Sequence, residues 1–337
     1  MKPTPTIFQS FLPILALFLC LLVGALYWGF SDALLISSLL LAASVAGFLA
    51  YTQGKNWDDI QKETGAKIAD ALPAIIILLA IGILVGSWMF SGTIPLMVFW
   101  GIEFVSPRFI VVTAFLATAI MSMASGTSWG SAGTMGVALM ATAAALEAPL
   151  ATTAGAIISG AYFGDKMSPM SDSTNISAIG AGADLYDHIG NMLYTAIPSF
   201  TIALIAYLVI GLTFSGDVAA GVPESARVVQ KEIGSIFNLG FLALVPPAIA
   251  VFGMVRRYPA ALVIVASSIA ALAVGLISNG FGFQDGLKVL VSGFNINMAG
   301  ADTMVSDATK GLLNRGGLSS MTGTLLFIIS AFLMAAA

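Results

Sequence analysis

Apolar residues run almost unbroken through most of this chain, in blocks separated by short polar stretches. The blocks fall at 11–30, 32–51, 73–90, 109–124, 131–146, 149–164, 191–214, 236–253, 259–278 and 321–337. Runs near or above roughly 18 apolar residues read as membrane-spanning helices. A transmembrane barrel would instead alternate residue by residue over short segments. The expected fold class is therefore an all-α polytopic membrane protein. The segment Ile94–Val105 is apolar but too short to cross, and reads as re-entrant or interfacial. Three stretches, 52–72, 215–235 and 279–320, read as polar loops.

Composition agrees with this pattern. Charged residues make up 9% of the 337 positions, against about 25% in soluble domains. The net charge of −4 gives nucleic-acid phosphates nothing to bind, so the lipid bilayer is the expected partner. Cys20 is the sole cysteine, which excludes an internal disulfide and any cysteine-rich metal site. The apolar run after Lys2 lacks a clear small-residue cleavage site and reads as a retained first helix.

Basic residues in short loops set the orientation. Lys2, Lys55, Lys62, Lys67 and Arg256–Arg257 share one side if the N-terminus is cytoplasmic, leaving 215–235 outside. Lys288, Lys310 and Arg315 then also lie outside and run against the rule. Two close-set spans, a polar stretch and a further apolar helix occur at 11–90 and again at 236–337. The helix at 73 leaves the cytoplasm and the helix at 321 enters it, which is the inverted-repeat plan of secondary transporters. The expected domains are a first transmembrane repeat carrying the polar motifs over 1–235, and the start of a second, incomplete repeat over 236–337. Scaled on the first repeat, the chain is expected to lack about a quarter of its parent.

Two motifs hold most of the chemistry. Ser122-Met-Ala-Ser-Gly-Thr-Ser-Trp-Gly-Ser-Ala-Gly-Thr-Met-Gly136 combines hydroxyls with Gly126, Gly130, Gly133 and Gly136. Each glycine costs a helix about 1 kcal/mol relative to alanine. An unwound stretch is expected here, its free carbonyls joined by Ser125, Thr127, Ser128 and Ser131 as oxygen ligands for a hard cation. Packing through small residues is the competing reading.

The second motif is Ser159-Gly-Ala-Tyr-Phe-Gly-Asp-Lys-Met-Ser-Pro-Met-Ser-Asp-Ser-Thr-Asn175. Pro169 removes a helix hydrogen bond and clashes with the preceding turn. Asp165 is therefore expected near the end of one half-helix, and Ser171-Asp172-Ser173 at the start of the next. The helix dipole disfavours negative charge at the first position and favours it at the second, by about 0.3–1 kcal/mol. Asp165 is the expected proton carrier, Asp172 the expected Na⁺ holder, and Lys166 a charge partner for either. A headgroup-level loop is the bland alternative for Asp165–Lys166. Asp184, Asp187 and His188 read as a solvated loop, Glu147 as a boundary residue, and Glu103 stays ambiguous. A Ser128–His188 protease dyad within Gly126-Thr-Ser-Trp-Gly130 is a remote reading, as is an intramembrane aspartyl protease.

Both motifs resemble signatures of the NhaC-type Na⁺/H⁺ antiporter family. Ser125–Gly136 matches its Ser-Gly-Thr-Ser-Trp-Gly segment, and Gly155–Asn175 matches its second signature over a longer stretch. The resemblance implies an inner-membrane exchanger of Na⁺ for H⁺, some relatives coupling both ions to malate and lactate. The family's later acidic, Thr- and Pro-rich signature is absent. Asp165 and Asp172 would carry the ions, with Ser125, Thr127, Ser128, Ser171, Thr174 and Asn175 as oxygen ligands. No cofactor is expected beyond the transported Na⁺ and H⁺. Organic-acid exchange, with small carboxylates as partners, is the second reading. A homodimer is compatible with this architecture.

Overall fold

The computed structural model describes residues 6–214, 222–300 and 304–336; the side chains of Ile7, Asp172 and Phe214 fall outside the description. Its regular structure is helical throughout the described residues. Among the described residues six helices are long and apolar enough to cross a membrane, seven if the bent pair Glu224–Ile236 and Phe241–Val255 is one span, where ten spans were expected. The shortfall has a physical source: several helices of the central part are 18 residues or shorter, and polar breaks interrupt them.

In chain order, α1 is Ile7–Trp28, α2 Asp32–Thr52, α3 Trp57–Phe90, α4 Thr93–Phe104 and α5 Ile110–Ser125. A short α6, Ser128–Ser131, passes through a π-helical turn at Ala132–Gly136 into α7, Val137–Ala145. Then come α8 Leu150–Met167, α9 Asp172–Ala181 and α10 Leu185–Phe214. The remainder comprises α11 Glu224–Ile236, α12 Val245–Val255, α13 Ala260–Ser278, α14 Phe283–Ser292, α15 Asp307–Leu313 and α16 Thr322–Ala336.

All three expected loops are corrected in part. Helix α3 begins at Trp57, well inside the stretch 52–72. Asn56 starts it: its Oδ1 accepts from the Asp59 N–H at 2.8 Å, and Asp59 accepts in return from the Asn56 N–H. That is a reciprocal cap of the kind that launches helices. Helix α11 likewise occupies 224–236, and 279–320 holds α14 and α15.

The chain divides into two compact units, Met1–Leu79 with Met321–Ala337, and Ala80–Ser320. In the first, α2 packs against both α1 and α16. A capping box of Thr6 and Gln9 opens α1, and Ser31 caps α2. The outward side chains of α1 include Phe18, Leu22 and Leu26, then Tyr27 and Trp28 at its end. Apolar flanks ending in aromatics suit hydrocarbon and then headgroups.

The second unit is built around α5 and α8. Gly160 of α8 lies against Phe115, Thr118 and Ala119, and Gly164 against Ala119, Ser122 and Met123. Numbering advances together on both helices, so they run parallel with their backbones nearly touching. Removing Cβ at a four-residue interval is what permits such an approach. Elsewhere in this unit the Trp88 indole N–H donates to Ser267 Oγ at 3.0 Å, and Ser267 donates to the Pro246 carbonyl at 2.7 Å. Asn279 accepts from the Asn238 N–H and donates to the Phe90 carbonyl, both at 2.9 Å, beside a cluster of Phe90, Phe237, Phe281 and Phe294.

Helix α11 holds Glu224, Arg227, Lys231 and Glu232 within 13 residues and meets the next helix at 106°. At roughly 20 Å long it is too short to cross by itself. Its Ala226, Val229 and Ile233 are buried. Glu232 takes hydrogen bonds from Ser306 N–H at 3.0 Å and Ser306 Oγ at 2.8 Å. Burial acts to raise this carboxyl, but the donors from Thr309 and Ser306 outweigh it and hold it below the ordinary range. A carboxyl held low by folding adds stability that is complete above about pH 4.3 and is lost as pH falls through the folded value. Melting temperature is expected to drop on acidification through that window, and Glu232→Gln to remove part of the drop. Identical acid profiles for the two proteins would refute this role.

Candidate functional site

Helix α5 ends at Ser125, and Gly126 turns the chain with φ +69. Thr127 then caps α6, its Oγ1 accepting from the Gly130 N–H at 3.2 Å. Gly136 lies against Ile157, so α7 folds back along α8 and does not continue α5. The expected unwound crossing is therefore corrected to a hairpin tip at Gly126–Thr127 followed by one π-helical turn. Packing accounts for the other glycines: Gly133 lies against Ile81, and Gly130 beside Met254.

The second motif breaks where Pro169 requires it. Helix α8 stops at Met167 and α9 starts at Asp172. Between them the Ser168 Oγ accepts from the Met170 N–H at 3.2 Å, closing a tight turn. Ser171 occupies the N-cap but does not cap; its hydroxyl pairs with Ser173 at 2.9 Å. Side chains from α9 bind the freed carbonyls instead. Thr174 Oγ1 donates to the Lys166 carbonyl at 3.1 Å and to that of Asp165 at 3.4 Å. The Asn175 amide donates to the Pro169 carbonyl at 3.0 Å and to that of Ser171 at 2.7 Å.

These two interruptions meet. A Cβ built on Gly126 would sit 2.7 Å from the Met170 carbonyl carbon and 2.8 Å from its oxygen. The Ser122 hydroxyl bonds the Ala161 carbonyl at 2.5 Å just before the breaks. Ser125 Oγ lies 3.1 Å from Ser131 Oγ, and Ser131 donates to the Thr127 carbonyl at 2.8 Å. Gly126, between Ser125 and Thr127, thus lies against Met170, the residue before Ser171, while the hydrogen bonds of Ser125 and Thr127 stay within the first motif and those of Ser171, Thr174 and Asn175 within the second.

Acceptors remain open in this region. Asp165 is half-buried, and among the described residues its carboxylate makes no hydrogen bond or ion pair. The same holds for the hydroxyl of Ser128, a buried residue. Lys166 is exposed and forms no ion pair among the described residues, so the expected pairing with Asp165 is absent. Asp172 heads α9 by its backbone, and its side chain lies outside the described residues. Ser128 and His188 share no hydrogen bond, and the protease dyad is not formed. Among the described residues no three His, Cys, Asp or Glu side chains converge. A cation held here would see one or two carboxylates with hydroxyl and carbonyl oxygens, the donor set of a hard ion. Ser122, whose bond ties α5 to α8, was not singled out from sequence; its place one helical turn before Gly126 was the available signal.

A family model described as the Na⁺/H⁺ antiporter family matches residues 160–337, which include the α8–α9 break. The chain belongs to that family. It is 41% identical to an uncharacterized Na⁺/H⁺ antiporter of Haemophilus influenzae, over 97% of this chain and 69% of that protein. It is 34% identical to the Na⁺/H⁺ antiporter NhaC of Bacillus subtilis, over 93% of this chain and 67% of the relative. A malate-2H⁺/Na⁺-lactate antiporter of Bacillus subtilis is 31% identical over 96% of this chain and 67% of its own length. The antiporter chain is of the NhaC type and is a multi-pass membrane protein. No solved structure matches it.

Proposed function

We propose that this chain exchanges Na⁺ for H⁺ across the cell's inner membrane, with Asp165 and Asp172 as the groups that bind the ions in turn. The observation that carries the reading is Asp165: a half-buried carboxylate, unpaired among the described residues, two residues before a helix end and next to a second broken helix. A carboxylate in this setting is discharged by either cargo. Proton and Na⁺ then compete for one site, and the competition makes the process an exchange. Ser128, Ser125 and Thr127 supply neutral oxygens from the hairpin tip. Thr174 and Asn175 hold the break open by binding its carbonyls, so that no helix can re-form across Pro169.

Everted vesicles energised to an acid interior test this directly. Added Na⁺ is expected to dissipate the pH gradient when the chain is expressed, and K⁺ to do so far less. No Na⁺-dependent dissipation in vesicles that contain the folded chain would end the proposal. Organic-acid exchange is the second reading, supported by the ammonium of Lys166, which has no ion pair among the described residues, and by the malate/lactate relative. Repeating the assay with malate and lactate on opposite faces separates the two, because simple cation exchange is indifferent to both acids.

A further inference from the structure

The turn between α7 and α8 carries a group that ion exchange leaves unused. Glu147 adopts φ +54, a left-handed conformation that side-chain-bearing residues seldom take. This backbone turn aims its carboxylate at α11, where one oxygen accepts from Ser225 Oγ at 2.6 Å. Glu147 lines a cleft of about 230 Å³ between the ends of α7, α11 and α15. Ala144, Ala145, Val229 and Leu312 give the cleft an apolar surface. Arg315 lines it too; its Nε donates to the Gly311 carbonyl at 2.9 Å. Its two terminal nitrogens make no hydrogen bond or ion pair among the described residues. Asp307 borders the same cleft but is fully exposed and engaged by Lys310 at 3.7 Å. The cleft lies roughly 20 Å along the helix from Ser131, well away from the two broken helices.

Each candidate ligand class can be weighed against this lining. A simple cation would meet Arg315, and a simple anion would meet Glu147. A molecule carrying both signs satisfies both. Free guanidinium nitrogens grip a carboxylate or phosphate in a two-pronged fashion, and the open Glu147 oxygen accepts from an ammonium. At 230 Å³ the space is below the ~300–1,000 Å³ of drug-sized pockets, which limits the ligand to a small solute or a head group. We propose that this cleft binds a small dipolar ion, a primary ammonium beside an acidic group. Its source is a free amino acid or the ethanolamine head group of a phospholipid.

Thermal shift of the purified chain in Na⁺-free buffer tests the proposal independently of exchange. The probes are L-alanine, propionate and ethylamine, with nanodiscs of phosphatidylethanolamine and phosphatidylcholine run in parallel. L-alanine is expected to stabilise the chain at concentrations about tenfold below those at which either half-molecule acts. Alternatively, only phosphatidylethanolamine stabilises it, which assigns the lipid source. Glu147→Gln and Arg315→Gln should each weaken the response by about tenfold, and Arg315→Lys by less, because it keeps charge and loses the fork. Should either glutamine variant fail to elute as folded protein, Ser225→Ala is read instead, with a smaller weakening expected. Equal action of the three soluble probes together with no preference between the lipids overturns the proposal. So does an undiminished response in folded Glu147→Gln.

Discussion

Gly164→Ala is expected to remove most of the folded protein from the membrane, although the change adds a single methyl group to an apolar helix. That methyl would meet the Ala119 carbonyl oxygen, lie 2.6 Å from the Met123 nitrogen and lie 2.7 Å from Ser122 Cβ. Two of these three atoms are backbone and cannot rotate away. Overpacking costs about 1–3 kcal/mol where side chains can yield, and here the upper end applies because α5 or α8 must shift as a body. The same seam carries Gly160, so moving the helices apart at one glycine loosens both. Gly180→Ala in α9 is the control: nothing lies within 4 Å of its Cβ position, and alanine favours a helix by up to ~1 kcal/mol. Folded yield, read by size-exclusion of detergent extracts, should fall about tenfold for Gly164→Ala relative to Gly180→Ala. Equal yields would show that α5 and α8 do not pack as described.

The seam explains why the site forms at all. Parallel α5 and α8, locked at 160 and 164, deliver Gly126 and Met170 to the same place. Breaks at the ends of two helices coincide only if the helices are in register, and the glycines set that register. The break at Pro169 and the helix start at Asp172 were legible from local chemistry, because proline acts on its own helix. The meaning of Gly126, Gly133 and Gly136 was not. Glycine-rich stretches read alike whether they unwind or pack, and only the neighbours Ile81, Ile157 and Met170 decide between the two. Helix α11 was missed for a different reason. Its hydropathy is low, yet Ala226, Val229 and Ile233 fall on one face at helical spacing, a periodic signal that average hydropathy discards. The cap at Asn56–Asp59 is equally legible, but the charges after it make the stretch read as a loop.

Asp165→Asn is expected to abolish Na⁺-driven proton movement while leaving the chain folded. Asparagine keeps the shape of the side chain, and no hydrogen bond or ion pair of the Asp165 carboxylate is lost, since none is made among the described residues. What disappears is the ability to change charge. In the proposed exchange, an ionised carboxylate carried through mid-bilayer would cost at least about 2.5–3.5 kcal/mol, which would make reorientation of the empty site roughly 60- to 300-fold rarer than that of a discharged one. That penalty couples the two ions, because a trip in either direction requires a cargo. With asparagine this position is neutral whether or not the site carries anything, so the site loses the group that trades a proton for Na⁺. Vesicles holding Asp165→Asn should therefore show no Na⁺-dependent dissipation at any pH, with a melting temperature near that of the parent. Asp172→Asn separates the two acids. If it raises the Na⁺ concentration needed for half-maximal exchange and leaves the pH profile in place, Asp172 holds the metal ion and Asp165 the proton. A wild-type pH profile in Asp165→Asn would move the proton site elsewhere and leave the half-buried carboxylate at the end of α8 without a role in transport.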